Sequence, residues 1–276
     1  MIDPNLVENH YTRGDLLGAI RAGLARLGKT PETVTIEDLA LVDEFHIGGR
    51  VATRSFLDQI AIRAEDHVLD VGCGIGGSSR FAAQTYGCHV TGVDLTEEYV
   101  ETGNTLCSWL GLEHQVKLSQ GNVLAMNLPD ATVDKAFMLH VGMNIADKAS
   151  LAMEVWRVLR PSGVFGIYDV MEVNANQMAF PVPWATIPEA SSLASSEAYK
   201  RALMAAGFEI ICERNRREFA MEFFERMKAD LAAAEGPPPL GLHLLMGKEA
   251  PTKVKNMIEN ISRNRIAPIE LIARKA

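Results

Sequence analysis

The sequence predicts an α/β fold: a doubly wound sheet preceded by N-terminal helices and interrupted by a helical insertion before its last strand. Three observations predict it. From His67 onward, short apolar runs alternate with longer amphipathic segments, the pattern of βαβ units and a parallel sheet. The run VLDVGCGIGG, Val68 to Gly77, carries an apolar strand directly into a glycine turn and a helix. The 276 residues suffice for one large domain with an accessory cap, and nothing repeats at a fixed period, which excludes solenoids and propellers.

In chain order, Leu16, Leu17, Ile20, Leu24 and Leu27 fall on one face at the 3.6-residue period, so the first 50 residues read as helical, with a second short helix after Thr35. Strands are expected at 67–72, 89–94, 116–120, 133–140 and 162–170, with helices at about 77–86, 97–110 and 147–159. Gly87, Gly111 and Pro161 mark the helix ends. Segment 171–194, with FPVPW at 180–184, is too rich in proline and small residues for a regular element. It reads as a loop over the sheet edge where ligands bind in such folds. A helix at about 195–206 ends at Gly207 and leads to a strand at about 208–214. Helices at 218–235 and 250–262, separated by GPPPLGLHLLMG, precede a last strand at about 265–274. The expected division is a helical lid over 1–50 and an α/β domain over 51–276, with an insertion at about 215–262. Phe223, Phe224, Met227, Leu244 and Leu245 give that insertion apolar surface for a cap over a substrate or for a partner subunit in a homodimer.

Composition narrows the function classes. At 47% hydrophobic and 22% charged residues the chain is globular rather than disordered. A net charge of -8 gives no electrostatic footprint for nucleic acid or an anionic membrane. The start, MIDPNLVENHYTRGD, lacks the basic residues and apolar run of a secretory signal, and no stretch reaches the length of an apolar span, so a cytoplasmic location is expected. Cys73, Cys88, Cys107 and Cys212 form no CxxC pair and read as reduced thiols; no cluster has metal-ligand spacing, so no metal is expected.

The glycine turn by itself is ambiguous. Gly72, Gly74 and Gly77 fit the GxGxxG spacing of a dinucleotide site, with Asp94 about 20 residues on. Three features favour S-adenosylmethionine. Asp70 puts a carboxylate just before the turn, suited to an ammonium and repulsive to a pyrophosphate. Asp94 ends the next strand, where it can accept from both ribose hydroxyls. Asn122, in QGNV after the third strand, can read the amino edge of adenine. Each has a plainer alternative: Asp70 as a turn residue, Asp94 as a helix cap, Asn122 as an ordinary turn.

The order DVGCGIGG, VTGVD, QGNV and a long helix ending in RVLRPSGVF resembles the class I S-adenosylmethionine-dependent methyltransferases, which are Rossmann-like, over about residues 45–170. FHIGGR (45–50), VTGVDLTEEYV (90–100), HVGMNIADK (140–148) and FPVPW (180–184) resemble the sarcosine/dimethylglycine N-methyltransferases and their ubiquinone-methylase-like relatives. The resemblance implies that Gly72, Gly74 and Gly76 line the methionine part of the cofactor and that Asp94 and Leu95 hold ribose and adenine. It implies further that Asn122 and Val123 meet the adenine edge, that Leu139 and His140 lie beside the sulfonium end, and that Tyr11 is a lid residue. Many relatives carry Asp at position 122; the amide of Asn122 still offers a carbonyl to the adenine amine.

Methyl transfer from a sulfonium is an in-line displacement that needs alignment and a dry pocket more than a dedicated base. His140, Tyr11 and Asn144 are the catalytic candidates, and Arg50, Met143 and Trp184 the substrate candidates. Arg50 can hold a carboxylate bidentately or form a structural ion pair, and Asn144 can instead cap the helix starting near Asp147. Trp184 offers a face to a methylated cation. His46 and His243 read more readily as packing residues. The expected reaction is methylation of the nitrogen of a small amino acid or amine. The alternatives are S-methylation of a thioether amino acid, C- or O-methylation of a quinone or secondary metabolite, a catalytically silent binding protein, or an NAD-dependent oxidoreductase. The last lacks a hydride-transfer set, which YKRAL at 199–203 does not supply.

Overall fold

A computed structural model of the chain describes residues 4–174, 178–233, 236 and 238–276. Seven strands form one sheet in the order β3-β2-β1-β4-β5-β7-β6. They are β1 His67–Val71, β2 His89–Asp94, β3 Val116–Gln120, β4 Val133–Leu139, β5 Leu159–Glu172, β6 Phe208–Asn215 and β7 Ile266–Lys275. The first five are parallel where they pair, and β7 runs antiparallel between β5 and β6. The dinucleotide-binding order 3-2-1-4-5-6 has no such strand. The chain reverses its direction of travel across the sheet between β1 and β4, and the crevice at the carboxyl ends of these strands is where open α/β sheets bind ligands.

Strand residues alternate between two helical layers, because successive side chains of a strand point to opposite faces. Val68, Phe137 and Tyr168 pack with α4 Gly49–Ile60, α5 Gly77–Tyr86 and α6 Glu97–Trp109. Leu69, Met138 and Ile167 pack with α7 Lys148–Val158 and α8 Ser196–Ala206. The N-terminal helices are α1 Pro4–Tyr11, α2 Leu16–Arg26 and α3 Ile36–Asp43. The sequence reading set no separate helix at α4, although Ala52, Phe56 and Ile60 recur every four residues and are buried against the sheet.

Two boundaries differ for local reasons. Leu159 already pairs with Val133, so β5 starts before Pro161, which does not mark the helix end directly. The cap of α7 is Asp147, whose carboxylate accepts from the Ser150 amide at 2.9 Å, and Asn144 instead sits in a short 3₁₀ turn, Gly142–Asn144.

The insertion comprises α9 Arg217–Ala233, α10 His243–Met246 and α11 Ala250–Ser262; the last two residues of the helix expected at 218–235 lie outside the described residues. Leu240 and Leu245 pack with Leu16, Ile20 and Leu24. Phe224, Met257 and Ile261 pack with Ile47, Met143, Val182 and Trp184. The insertion therefore closes on the N-terminal helices and on the FPVPW loop as a cap. No described helix is long and apolar enough to cross a membrane.

Between the N-terminal helices and the sheet lies a fully buried ion pair. Arg80 of α5 donates to Asp43 of α3 at 2.6 Å, and also to the carbonyls of Ile75 at 2.7 Å and Gly103 at 3.3 Å. Removing one member of such a pair strands a charge in low dielectric. Arg80→Met should lower unfolding stability by about 3–5 kcal/mol, as measured by urea denaturation. A loss under about 1 kcal/mol, the scale of an exposed pair, would show that this pair contributes little.

Candidate active site

The glycine turn after β1 is held from the end of β2. Val93 O accepts from Gly72 N at 2.8 Å and from Cys73 N at 3.1 Å, and the Asp94 carboxylate accepts from Gly74 N at 2.8 Å. Its other oxygen accepts from Thr96 N at 2.9 Å, opening α6. Gly72 has φ +74°, and a Cβ there would run into the Val141 side chain, so the turn needs glycine for both conformation and space. Gly76 also has positive φ, but it faces Leu118 and Arg80 and does not line the cavity beyond the turn.

That cavity, of about 440 Å³, is of the size that holds small-molecule ligands. Of the expected cofactor residues, Asp70, Gly72, Gly74, Asp94, Leu95, Asn122, Val123 and Leu139 line it, and Tyr11, His46, His140, Met143, Asn144 and Trp184 line it as well. The fold thus brings together residues spread from position 11 to position 184. Arg50 and His243 are not among the lining residues. Arg50 pairs with Glu44 and lies over the Phe81 ring, so the expected substrate contact is replaced by an ion pair outside the cavity.

Burial sets the electrostatics. Asp70 is 2% exposed and accepts from Ser79 Oγ at 2.6 Å; desolvation pushes its pKa up to about 7 against that hydrogen bond. Burial also raises Asp94, opposed by the amides it accepts from, and raises Asp43 to about 6 despite Arg80. Desolvation, reinforced by nearby His46, drives His140 well below the ordinary histidine range, so the ring is neutral. His140 has φ 54°, unusual for a residue with a side chain, and its Nε2 is buried without a hydrogen-bond partner. His46 is engaged with Thr53 Oγ1 at 2.9 Å, as a packing histidine would be.

Tyr11 reaches the cavity from α1, and its Oη accepts from Asn144 Nδ2 at 3.0 Å. The N-terminal segment is tied to three walls: His10 Nε2 donates to Pro183 O at 2.9 Å, Arg13 Nε to Leu245 O at 2.7 Å, and Leu16 N to the Glu98 carboxylate at 2.9 Å. Trp184 Nε1 donates to Ser191 Oγ at 2.9 Å. The Asn122 side-chain carbonyl accepts from Leu124 N at 2.9 Å, so it serves a local turn.

Sequence reasoning missed Asp43, Phe45, Ser78, Tyr99 and Met257, while Leu245 lines the cavity from the insertion expected to supply a cap or a partner surface. Tyr99 carried the one usable signal, an aromatic in the first turn of the helix after Asp94; its Oη is buried without a partner. The other missed residues reach the cavity only through packing of α3 and the turn after it, α5 and α11.

The residues fit an adenosylmethionine cofactor. The nearest atom to a Cβ built on Gly74 would be 3.9 Å away, leaving the turn open to close approach, and Asp70 and Asp94 supply carboxylates beside it. The profile of a family described as a methyltransferase domain matches residues 68–163. A sterol 24-C-methyltransferase of Eremothecium gossypii is 32% identical over 166 residues, 57% of this chain and 44% of that enzyme, so the match spans less than half the relative's length. Among solved structures, a geranyl diphosphate C-methyltransferase of Streptomyces coelicolor superposes with TM-score 0.73 at 18% identity, covering 99% of this chain and 98% of that one. A putative sarcosine dimethylglycine methyltransferase of Galdieria sulphuraria gives TM-score 0.66 at 18% identity, covering 81% and 83%. Residues 68–163 match the profile of a methyltransferase domain, and the chain as a whole has the fold of the methyltransferases of known structure named above.

Proposed function

We propose that the protein is an S-adenosylmethionine-dependent methyltransferase whose acceptor is a small, neutral, largely apolar molecule methylated at carbon or at a hydroxyl oxygen. One observation carries this reading: the cavity that joins the glycine turn to Trp184, Met143 and Met257 has no lysine or arginine among its described lining residues. An anionic acceptor would enter it without a countercharge, at a desolvation cost nothing there offsets. The relatives named for sterol and for geranyl diphosphate C-methylation support carbon as an acceptor atom. The second reading, nitrogen methylation of a small amino acid, is supported by likeness of fold to the putative sarcosine dimethylglycine enzyme. The capture of Arg50 by Glu44 counts against it.

When bound, the cofactor supplies an electrophilic methyl group on a sulfonium. This chain's part is alignment and exclusion of water. Asp94 holds the Gly74 amide and keeps further lone pairs for hydroxyls of a ribose. His140, kept neutral by burial and with its Nε2 unpartnered, can accept a hydrogen bond from an acceptor hydroxyl and orient it. Tyr11 and Asn144, bonded to each other, join the N-terminal lid to the acceptor wall. Cys73, Cys88, Cys107 and Cys212 are free thiols, which fits a reducing compartment such as the cytoplasm.

Asp94→Ala should weaken S-adenosylhomocysteine binding by about 1.5–3 kcal/mol, the scale of hydrogen bonds to a charged group. Unchanged calorimetric affinity would remove Asp94 from the cofactor site.

A cationic cofactor stabilises the charged form of Asp70, whose pKa is pushed up to about 7 without it. Binding of adenosylmethionine should therefore release protons near neutrality and tighten as pH rises through about 7. Calorimetry in buffers of different ionisation heat measures this, and zero proton exchange would contradict it.

Acceptor class is decided by incubating enzyme and adenosylmethionine with neutral phenols, quinols and isoprenoid alkenes, and in parallel with sarcosine, dimethylglycine and an isoprenoid diphosphate. Turnover is expected for the neutral set. With a turned-over acceptor, Trp184→Ala should cut kcat/KM about tenfold or more while cofactor affinity stays within about threefold. Turnover of sarcosine or the diphosphate alone would overturn the neutral-acceptor reading and leave methyl transfer standing.

A further inference from the structure

Beneath the acceptor side of the cavity lies a buried polar cluster that no step above uses. Lys148, at the start of α7, is 9% exposed, and its ammonium donates to the carbonyls of Gly142 and Ser192, each at 2.9 Å, and to that of Ile145. Three N–H donors meet three carbonyls, so the group is fully satisfied only while protonated. Its carbonyl partners belong to two different walls. Gly142 and Ile145 bracket Met143 and Asn144, while Ser192 adjoins Ser191, which accepts from Trp184 Nε1 at 2.9 Å. Ser192 N also donates to Met143 O at 2.7 Å.

The titratable groups facing Lys148 are Asp169 of β5, whose charge acts on it, and Tyr199 of α8, whose ring centroid lies 5.1 Å from Nζ. Tyr199 Oη donates to Asp169 Oδ2 at 2.6 Å, and both residues are buried. Asp169 acts on Lys148 through its charge, while the ammonium's hydrogen bonds go to the three carbonyls.

We propose that Lys148 is a positioning residue that staples the Gly142–Ile145 turn to the Ser191–Ser192 segment, so that Met143, Asn144 and Trp184 form one rigid acceptor wall. The assignment of this wall to an acceptor rests on the proposed methyltransferase activity; the staple itself does not. Loss of the proton removes one donor and sets a lone pair against a carbonyl, which releases one of the two walls. Burial, opposed by Asp169, pushes the ammonium's pKa down to about 8. The sign follows: the staple is intact below that pH and loosens as pH rises through it.

The test uses Trp184 as its own probe. In the full chain with Trp109 and Trp156 replaced by Phe, acrylamide quenching of Trp184 is followed from about pH 6.5 to about pH 9.5, with Lys148 present and with Lys148→Met. S-adenosylhomocysteine calorimetry reports separately on the cofactor end. With Lys148 present, quenching should rise about threefold across the titration. Lys148→Met should be quenched at the high-pH level throughout, while its S-adenosylhomocysteine affinity stays within about threefold of the parent. A Lys148→Met protein with low quenching at every pH would overturn the proposal. So would a flat pH profile in the Lys148 protein, which decides the matter if the Met variant fails to fold. Failure of the parent to bind S-adenosylhomocysteine would overturn the proposed activity instead and would leave the quenching result to judge Lys148.

Discussion

The arrangement of the site depends on the hydrogen bond from the Gly74 amide to the Asp94 carboxylate. A chain leaving β1 turns sharply into α5, and while Val93 O accepts from the Gly72 and Cys73 amides, the half-buried carboxylate at the neighbouring strand end is a strong acceptor for the next one. Because β1 and β2 pair in register from His67–His89 to Val71–Val93, Asp94 arrives beside the turn without any separate device. The same carboxylate accepts from Thr96 N, so the turn and the start of α6 are set by one side chain. Desolvation works against this arrangement by raising Asp94, and its amide donors offset that penalty.

Charge is distributed around the cavity in a one-sided way. Carboxylates of Asp43, Asp70, Asp94 and Asp147 line it, and nearby cations are used elsewhere: Arg80 by Asp43, Arg50 by Glu44, Arg13 by the Leu245 carbonyl, Lys148 by three carbonyls. A sulfonium is favoured in such surroundings, and an anion is not. Met143, Trp184, Leu245 and Met257 then supply apolar wall where an acceptor would lie. Adaptable methionines and an aromatic face suit an apolar guest of irregular shape.

The sheet and the cofactor side were legible because their signals are local. An apolar run, a glycine turn and an acid at the next strand end lie within 27 residues, from Val68 to Asp94, and βαβ periodicity orders the strands. The acceptor side was legible only in part. His140, Met143, Asn144 and Trp184, which fall in quoted motifs, line the cavity with Tyr11 of α1, whereas Arg50 does not: the sequence shows a guanidinium and not its partner Glu44. Gly76 is not among the lining residues, and spacing shows only that a glycine is required there, not whether a ligand or Leu118 requires it.

The sequence by itself determined the α/β class, the glycine turn, the position of Asp94 and the existence of an insertion before the last strand, since each follows from periodicity or from residues close in the chain. Only the tertiary structure decided that the insertion packs as a cap on the N-terminal helices, that Leu245 and Met257 reach the cavity, and that Lys148 bridges Gly142 and Ser192. Those outcomes depend on which apolar faces meet and which buried donors find acceptors across long separations in the chain. Burial and partner, unlike propensity, are properties of the assembled core.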